Sequence, residues 1–93
     1  MKTIDTLRFR QQQIKKQILD DLDLLQGSLH KTPSQRGYHL TTKLNGKTLT
    51  KYVRKEWVAQ VRSMTRNHLR VRQRLQRLSE VNWRLLQCSD NAQ

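Results

Sequence analysis

The chain has 93 residues, with 19 Lys or Arg against 7 Asp or Glu, a formal charge of +12 and an isoelectric point near 11.0. Only 34% of the residues are hydrophobic, and a chain this short buries about 60–65% of its unfolded surface at best, which argues against a thick core around a deep catalytic pocket and for one small domain over residues 1–93. Self-repulsion on this scale is costly without counter-charge, so the composition points to an anionic partner.

Apolar spacing predicts a first helix over residues 4–26, with Ile4, Leu7, Gln11, Ile14, Ile18, Leu22 and Leu25 on one face. Thr3 suits the N-cap, Asp5 the positive end of the helix dipole, and Gly27 the stop. Asp20, Asp21 and Asp23 fall in the last turns, where the dipole disfavours negative charge, so they call for a basic neighbour. Residues 27–37 read as a loop, broken by Pro33 between two glycines.

Residues 38–53 carry a hairpin signal, because Asn45-Gly46 is the preferred type I′ turn. A two-residue turn sets Leu44 opposite Lys47, Thr42 opposite Leu49, Leu40 opposite Lys51 and Tyr38 opposite Val53. Tyr38, Leu40, Leu44, Leu49 and Val53 then share one face, which should pack on a helix. A second helix is expected over residues 54–87, about 50 Å long, leaving 88–93 as a frayed tail. Trp57, Val61, Met64, His68, Val71, Leu75, Leu78, Asn82 and Leu85 keep a 4-3 spacing like that of a coiled coil. The expected fold is α+β and mostly α, in which the N-terminal and C-terminal helices flank the hairpin and pair antiparallel. That pairing would bring residues 20–23 near Arg54, Lys55 and Arg62.

Between Trp57 and Ser79 there is no acidic residue, yet Arg62, Arg66, Arg70, Arg72, Arg74 and Arg77 fall there. Coiled-coil surfaces normally mix the two signs; an unmixed face of guanidinium groups suits phosphate oxygens. Lys43, Lys47 and Lys51 crowd the hairpin, and Lys31 and Arg36 precede it. Such a basic ribbon can clamp a nucleic-acid backbone, and lysines there also discourage strand-to-strand aggregation. His68 and Asn82 interrupt the apolar spacing, a pattern that sets register in paired helices. The single cysteine, Cys88, leaves no disulfide framework or thiolate metal cluster and fits a reducing cytoplasm. No apolar leader or membrane-length run is present. No His–carboxylate or nucleophile arrangement marks a catalytic centre, and no metal or cofactor is expected.

At Gly27-Ser28-Leu29, Lys43-Leu44-Asn45-Gly46-Lys47 and Tyr52-Val53-Arg54-Lys55-Glu56, the chain resembles a small bacterial domain family of uncharacterised activity. Members of that family are similar in order: a helix, a Gly-Ser turn, a hairpin with an Asn/Asp-Gly-Lys tip, a Tyr-Val-Pro-Lys-Glu entry and a long helix. They often occur near transposable elements, so the resemblance implies an accessory role linked to DNA. The family's cysteine-rich loop has no counterpart in residues 30–37, so no metal role carries over. Arg54 stands where the family has the proline that pre-shapes a helix start.

The expected function is that of a non-enzymatic nucleic-acid-binding accessory protein, gripping the phosphate backbone of DNA or structured RNA, alone, as a homodimer or in a larger complex. The alternative is a protein-interaction adaptor or helical dimer whose basic face docks on an acidic protein or a ribonucleoprotein. Nothing in the sequence separates base-reading residues from backbone-binding ones.

Overall fold

With so few apolar residues, each element can bury only a narrow stripe, and the buried hydrophobic side chains among the described residues are Leu7, Leu40, Val53, Val61, Val71 and Val81. The computed structural model describes residues 2–31 and 37–91. Its elements are helix α1 (Lys2–Asp20), strands β1 (Ser28–Lys31), β2 (Tyr38–Leu44) and β3 (Lys47–Val53), a 3-10 turn (Lys55–Trp57) and helix α2 (Val58–Asn91). The protein is α+β and mostly α. It divides into two compact units, one of residues 23–69 and one of residues 1–22 with 70–93, and α2 contributes to both.

In the first unit the strands form an antiparallel sheet in the order β1-β2-β3. Asn45 and Gly46 both have positive φ, 53° and 79°, as a type I′ turn requires. The turn sets Leu44 opposite Lys47 and carries the pairing through to Tyr38 opposite Val53. Strand β1 lies where sequence alone indicates loop. It pairs Ser28 with Thr41 through Lys31 with Tyr38, and four residues of this kind hold a strand by pairing rather than by local preference. Gly27 makes the approach to β2 workable: its φ is 144°, and a Cβ there would sit 2.7 Å from the Thr41 carbonyl oxygen. Leu40 and Val53 pack on Val61 of α2, with Leu25, Leu29, Tyr38 and Val58 around them. Pro33 and Arg36 lie outside the described residues.

The entry to α2 differs from the apolar spacing. Arg54 is extended, and the Trp57 N–H donates to the Arg54 carbonyl at 2.9 Å. A 3-10 turn has three residues per turn rather than 3.6, which shifts the phase by one position. Val58 therefore joins the core, while Trp57 stays 48% exposed with the Arg54 guanidinium 4.9 Å from its ring centroid.

In the helical unit, α1 stops at Asp20, six residues before the end implied by its apolar spacing. The Asp21 N–H bonds the Ile18 carbonyl in a tightened last turn, and three aspartates at a negative helix end oppose further turns. In the other unit, the chain beyond is held to α2 by Leu25 N–H to the Met64 carbonyl and by the Asn67 amide to the Asp23 carbonyl. The counter-charge for Asp21 is Arg74. Its guanidinium pairs with the Asp21 carboxylate and donates to the Gln17 carbonyl at 3.0 Å.

This pair also resets the α2 face. The inward positions are Val71, Arg74, Leu78, Val81, Leu85 and Cys88, and Leu75 is 51% exposed. A strict 3.5-residue spacing drifts across a 3.6-residue helix, so Arg74 and Val81 replace Leu75 and Asn82. Asn82 is exposed and accepts a bond from the Gln11 amide at 2.7 Å. At the far end α2 continues through residues 88–91, and residues 92–93 lie outside those described.

The Arg74–Asp21 pair is largely shielded, with side-chain exposures of 25% and 20%. Asp21→Asn should lower stability by about 1–2 kcal/mol, between the values for exposed and buried pairs. Asp20→Asn should leave the melting temperature unchanged or slightly higher, because it relieves charge at the helix end. Thermal melts of the two variants separate these outcomes.

Candidate nucleic-acid interface

Steps of four, four, seven and seven place Arg62, Arg66, Arg70, Arg77 and Arg84 along one side of α2, and all five are exposed. Arg72 is exposed too, but it sits about 200° around the helix from Arg70. Arg74 faces α1 and is matched by Asp21. Of the six arginines singled out in the sequence, four thus share a stripe, one stands apart and one is structural.

Sequence spacing did not point to Arg10. It joins Arg77 and Arg84 around an open groove of about 360 Å³, beside Gln13, Gln17 and Glu80. Glu80 pairs with Arg84 at 3.3 Å, leaving one carboxylate against three guanidinium groups. Arg10, Gln13 and Gln17 follow a 3-4 spacing visible in the sequence, but nothing there says which arginines lie opposite. A second groove, bordered by Ile4, Leu85 and Leu86, shares no residue with the first.

Strand alternation separates the hairpin lysines. Lys47 and Lys51 lie on the sheet face that bears Leu40 and Val53, whereas Lys43 lies on the opposite face with His39, Thr41, Thr50 and Tyr52. All three lysines are exposed. Lys31 and Arg62 both approach the Tyr38 ring, at 5.8 and 6.0 Å from its centroid, which gathers basic groups from β1 and α2 around one aromatic side chain.

The open sheet face carries a row that needs β1 to exist. His30 pairs with His39 and His39 with Tyr52 across the three strands. The imidazoles stack at 6.4 Å, and Tyr52 meets His39 edge-on at 5.8 Å. His30 Nε2 lies 2.5 Å from Thr41 Oγ1. Gly37 backs onto the Tyr52 ring, 3.0 Å from where a Cβ would stand.

Acidic residues are absent from 24–55 and again from 57–79, so Glu56 is the one carboxylate between Asp23 and Glu80. Residues 23–69 hold nine basic residues against two acidic ones. So biased a composition sets up a positive long-range field, screened over about a Debye length. Among the described residues, no cluster of three or more His, Cys, Asp or Glu is placed to hold a metal ion.

His39 Nδ1 is buried without a hydrogen-bond partner among the described residues. His39→Phe keeps the ring contacts and removes that unpaired atom, so it should raise stability by about 1 kcal/mol, or about 4–8 °C in melting temperature. A lower melting temperature would contradict this expectation.

Among the described residues, no helix is long and apolar enough to cross a membrane. No protein-family model, curated protein or solved structure matches the chain.

Proposed function

We propose that this protein is a non-enzymatic nucleic-acid-binding accessory protein that grips the phosphate backbone. The observation that carries this reading is the arginine stripe of α2, in which Arg62, Arg66, Arg70 and Arg77 fall in a stretch with no acid from 57 to 79 and Arg84 follows, paired with Glu80. Guanidinium forks match phosphate oxygens, and backbone contacts of this type need no catalytic group. Arg72 adds charge on the far side of the helix, and the sheet adds Lys47 and Lys51 on one face and Lys43 on the other.

The scaffold in this reading is α1 and α2 paired antiparallel, in coiled-coil fashion. The Gln11–Asn82 and Gln17–Arg74 bonds support it, because they join the helices in reverse order. A cytoplasmic setting follows from the lone cysteine. An accessory role beside a mobile element draws only on the resemblance of the hairpin and the Tyr52-Val53 entry.

If about five phosphates are neutralised, log affinity for duplex DNA should fall with log salt at a slope of about −4.5. Arg66→Glu with Arg77→Glu should preserve the melting temperature, weaken binding at least tenfold and flatten the slope by about two units. Salt titrations by fluorescence anisotropy measure this, and a flat dependence for the unaltered protein rejects the proposal.

A second reading, a helical dimer or protein adaptor, is favoured by the exposed strip Leu75, Trp83 and Leu86, which borders one groove on α2. Because Leu75 points away from the packed face, Leu75→Asp should leave the monomer folded. Sedimentation equilibrium should then show loss of a concentration-dependent dimer that the unaltered chain forms. A monomer throughout would remove the homodimer form of this reading.

A further inference from the structure

We propose that the open face of the sheet is a base-reading surface that enters the major groove of duplex DNA. This rests on the nucleic-acid reading above and adds to it a second contact surface, on the side of the sheet opposite the one packed on α2. The face toward α2 is occupied by packing, with Leu40 and Val53 against Val61. The other face bears His30, His39 and Tyr52 in one row, Ser28, Thr41 and Thr50 in the next, and Lys43 opposite Thr48 in a third. It has no aliphatic side chain and no carboxylate. Every residue on it can take part in a hydrogen bond.

Burial splits these residues into two groups. His30, His39 and Thr41 are half-buried, and His30 and Thr41 bond each other. They form a support. Lys43, Thr48, Thr50 and Tyr52 are exposed, Tyr52 by 62%. Ammonium groups bond guanine O6 and N7, hydroxyl groups serve several base edges, and threonine methyls contact the thymine methyl.

The dimensions select the nucleic acid. Three strands at about 4.8 Å spacing give a backbone about 10 Å wide, and seven-residue strands are about 23 Å long. The major groove of B-form DNA is about 12 Å wide. The corresponding groove of duplex RNA is too narrow and deep for side chains to read. Single strands call for several exposed aromatic platforms, and Tyr52 is the one exposed aromatic residue on this face.

The sheet edges fit the same placement. Lys31 stands on β1, and Lys47 and Lys51 on β3, the two outer strands. Their side chains start from the α2-facing side of the sheet, so they reach the walls of a groove only by extending around its edges. Protection against edge pairing would also put lysines on outer strands. It does not account for Lys43, which stands on the central strand and on the open face.

The test is selection from a random-sequence duplex library, followed by anisotropy titration of the enriched and a scrambled duplex. The unaltered protein should enrich a short motif and prefer it by roughly 10²-fold or more, as two to three specific base contacts imply. Lys43→Gln and Thr50→Ala, both exposed changes, should each cut that preference about tenfold or more. Neither should change the melting temperature, and Thr50→Ala should leave scrambled-duplex affinity and its salt slope unaltered. Duplex binding without enrichment overturns this inference and leaves the backbone-binding proposal standing. Equal loss on both duplexes in the Thr50 variant also overturns it. Failure to bind any duplex removes this inference, and if structured RNA is not bound either, the proposed function falls with it.

Discussion

The structure depends on α2, because one helix must bury apolar groups while carrying a row of mutually repelling charges. Among the described residues, three of the six buried hydrophobic side chains, Val61, Val71 and Val81, come from it. Val61 packs on Leu40 and Val53 in the sheet unit, and Val71 and Val81 belong to the helical unit.

Charge follows a related division. Arg74, the arginine that turns inward, is met by a carboxylate and a backbone carbonyl. A partly buried guanidinium needs such partners, since an unpaired one is expensive. Across 57–79 the sequence itself contains no carboxylate, and like charges placed close together repel one another. Under the proposed function, binding and stability are therefore linked, and a bound polyanion stabilises the folded protein.

Several features were legible because their causes are local. Asn45-Gly46 requires positive φ at two positions, which fixes the turn, and the turn fixes every pair of the β2–β3 ladder. Val61, Met64, His68, Val71, Leu78 and Leu85 were legible as inward positions because apolar spacing reports helix phase directly. Other features depend on distant partners. Strand β1 exists by pairing with β2, and no four-residue segment announces such a partner. Arg74 looks like its neighbours until Asp21 is placed beside it. The α1 terminus and the shift from Trp57 to Val58 came from backbone energetics that side-chain spacing does not encode. For the candidate interface, the stripe was legible in outline. The separation of Lys43 from Lys47 and Lys51 followed from the hairpin register, but the histidine row needed the third strand.

Under the proposed function, the arginine stripe of α2 holds nucleic acid. The most direct measurement is the ratio of absorbance at 260 and 280 nm for protein purified at low salt, before and after nuclease treatment. The claim predicts a ratio above that of the protein alone, falling to the protein value once nuclease and high salt have removed the bound material. A ratio equal to that of the bare protein at low salt, unmoved by nuclease, would contradict it.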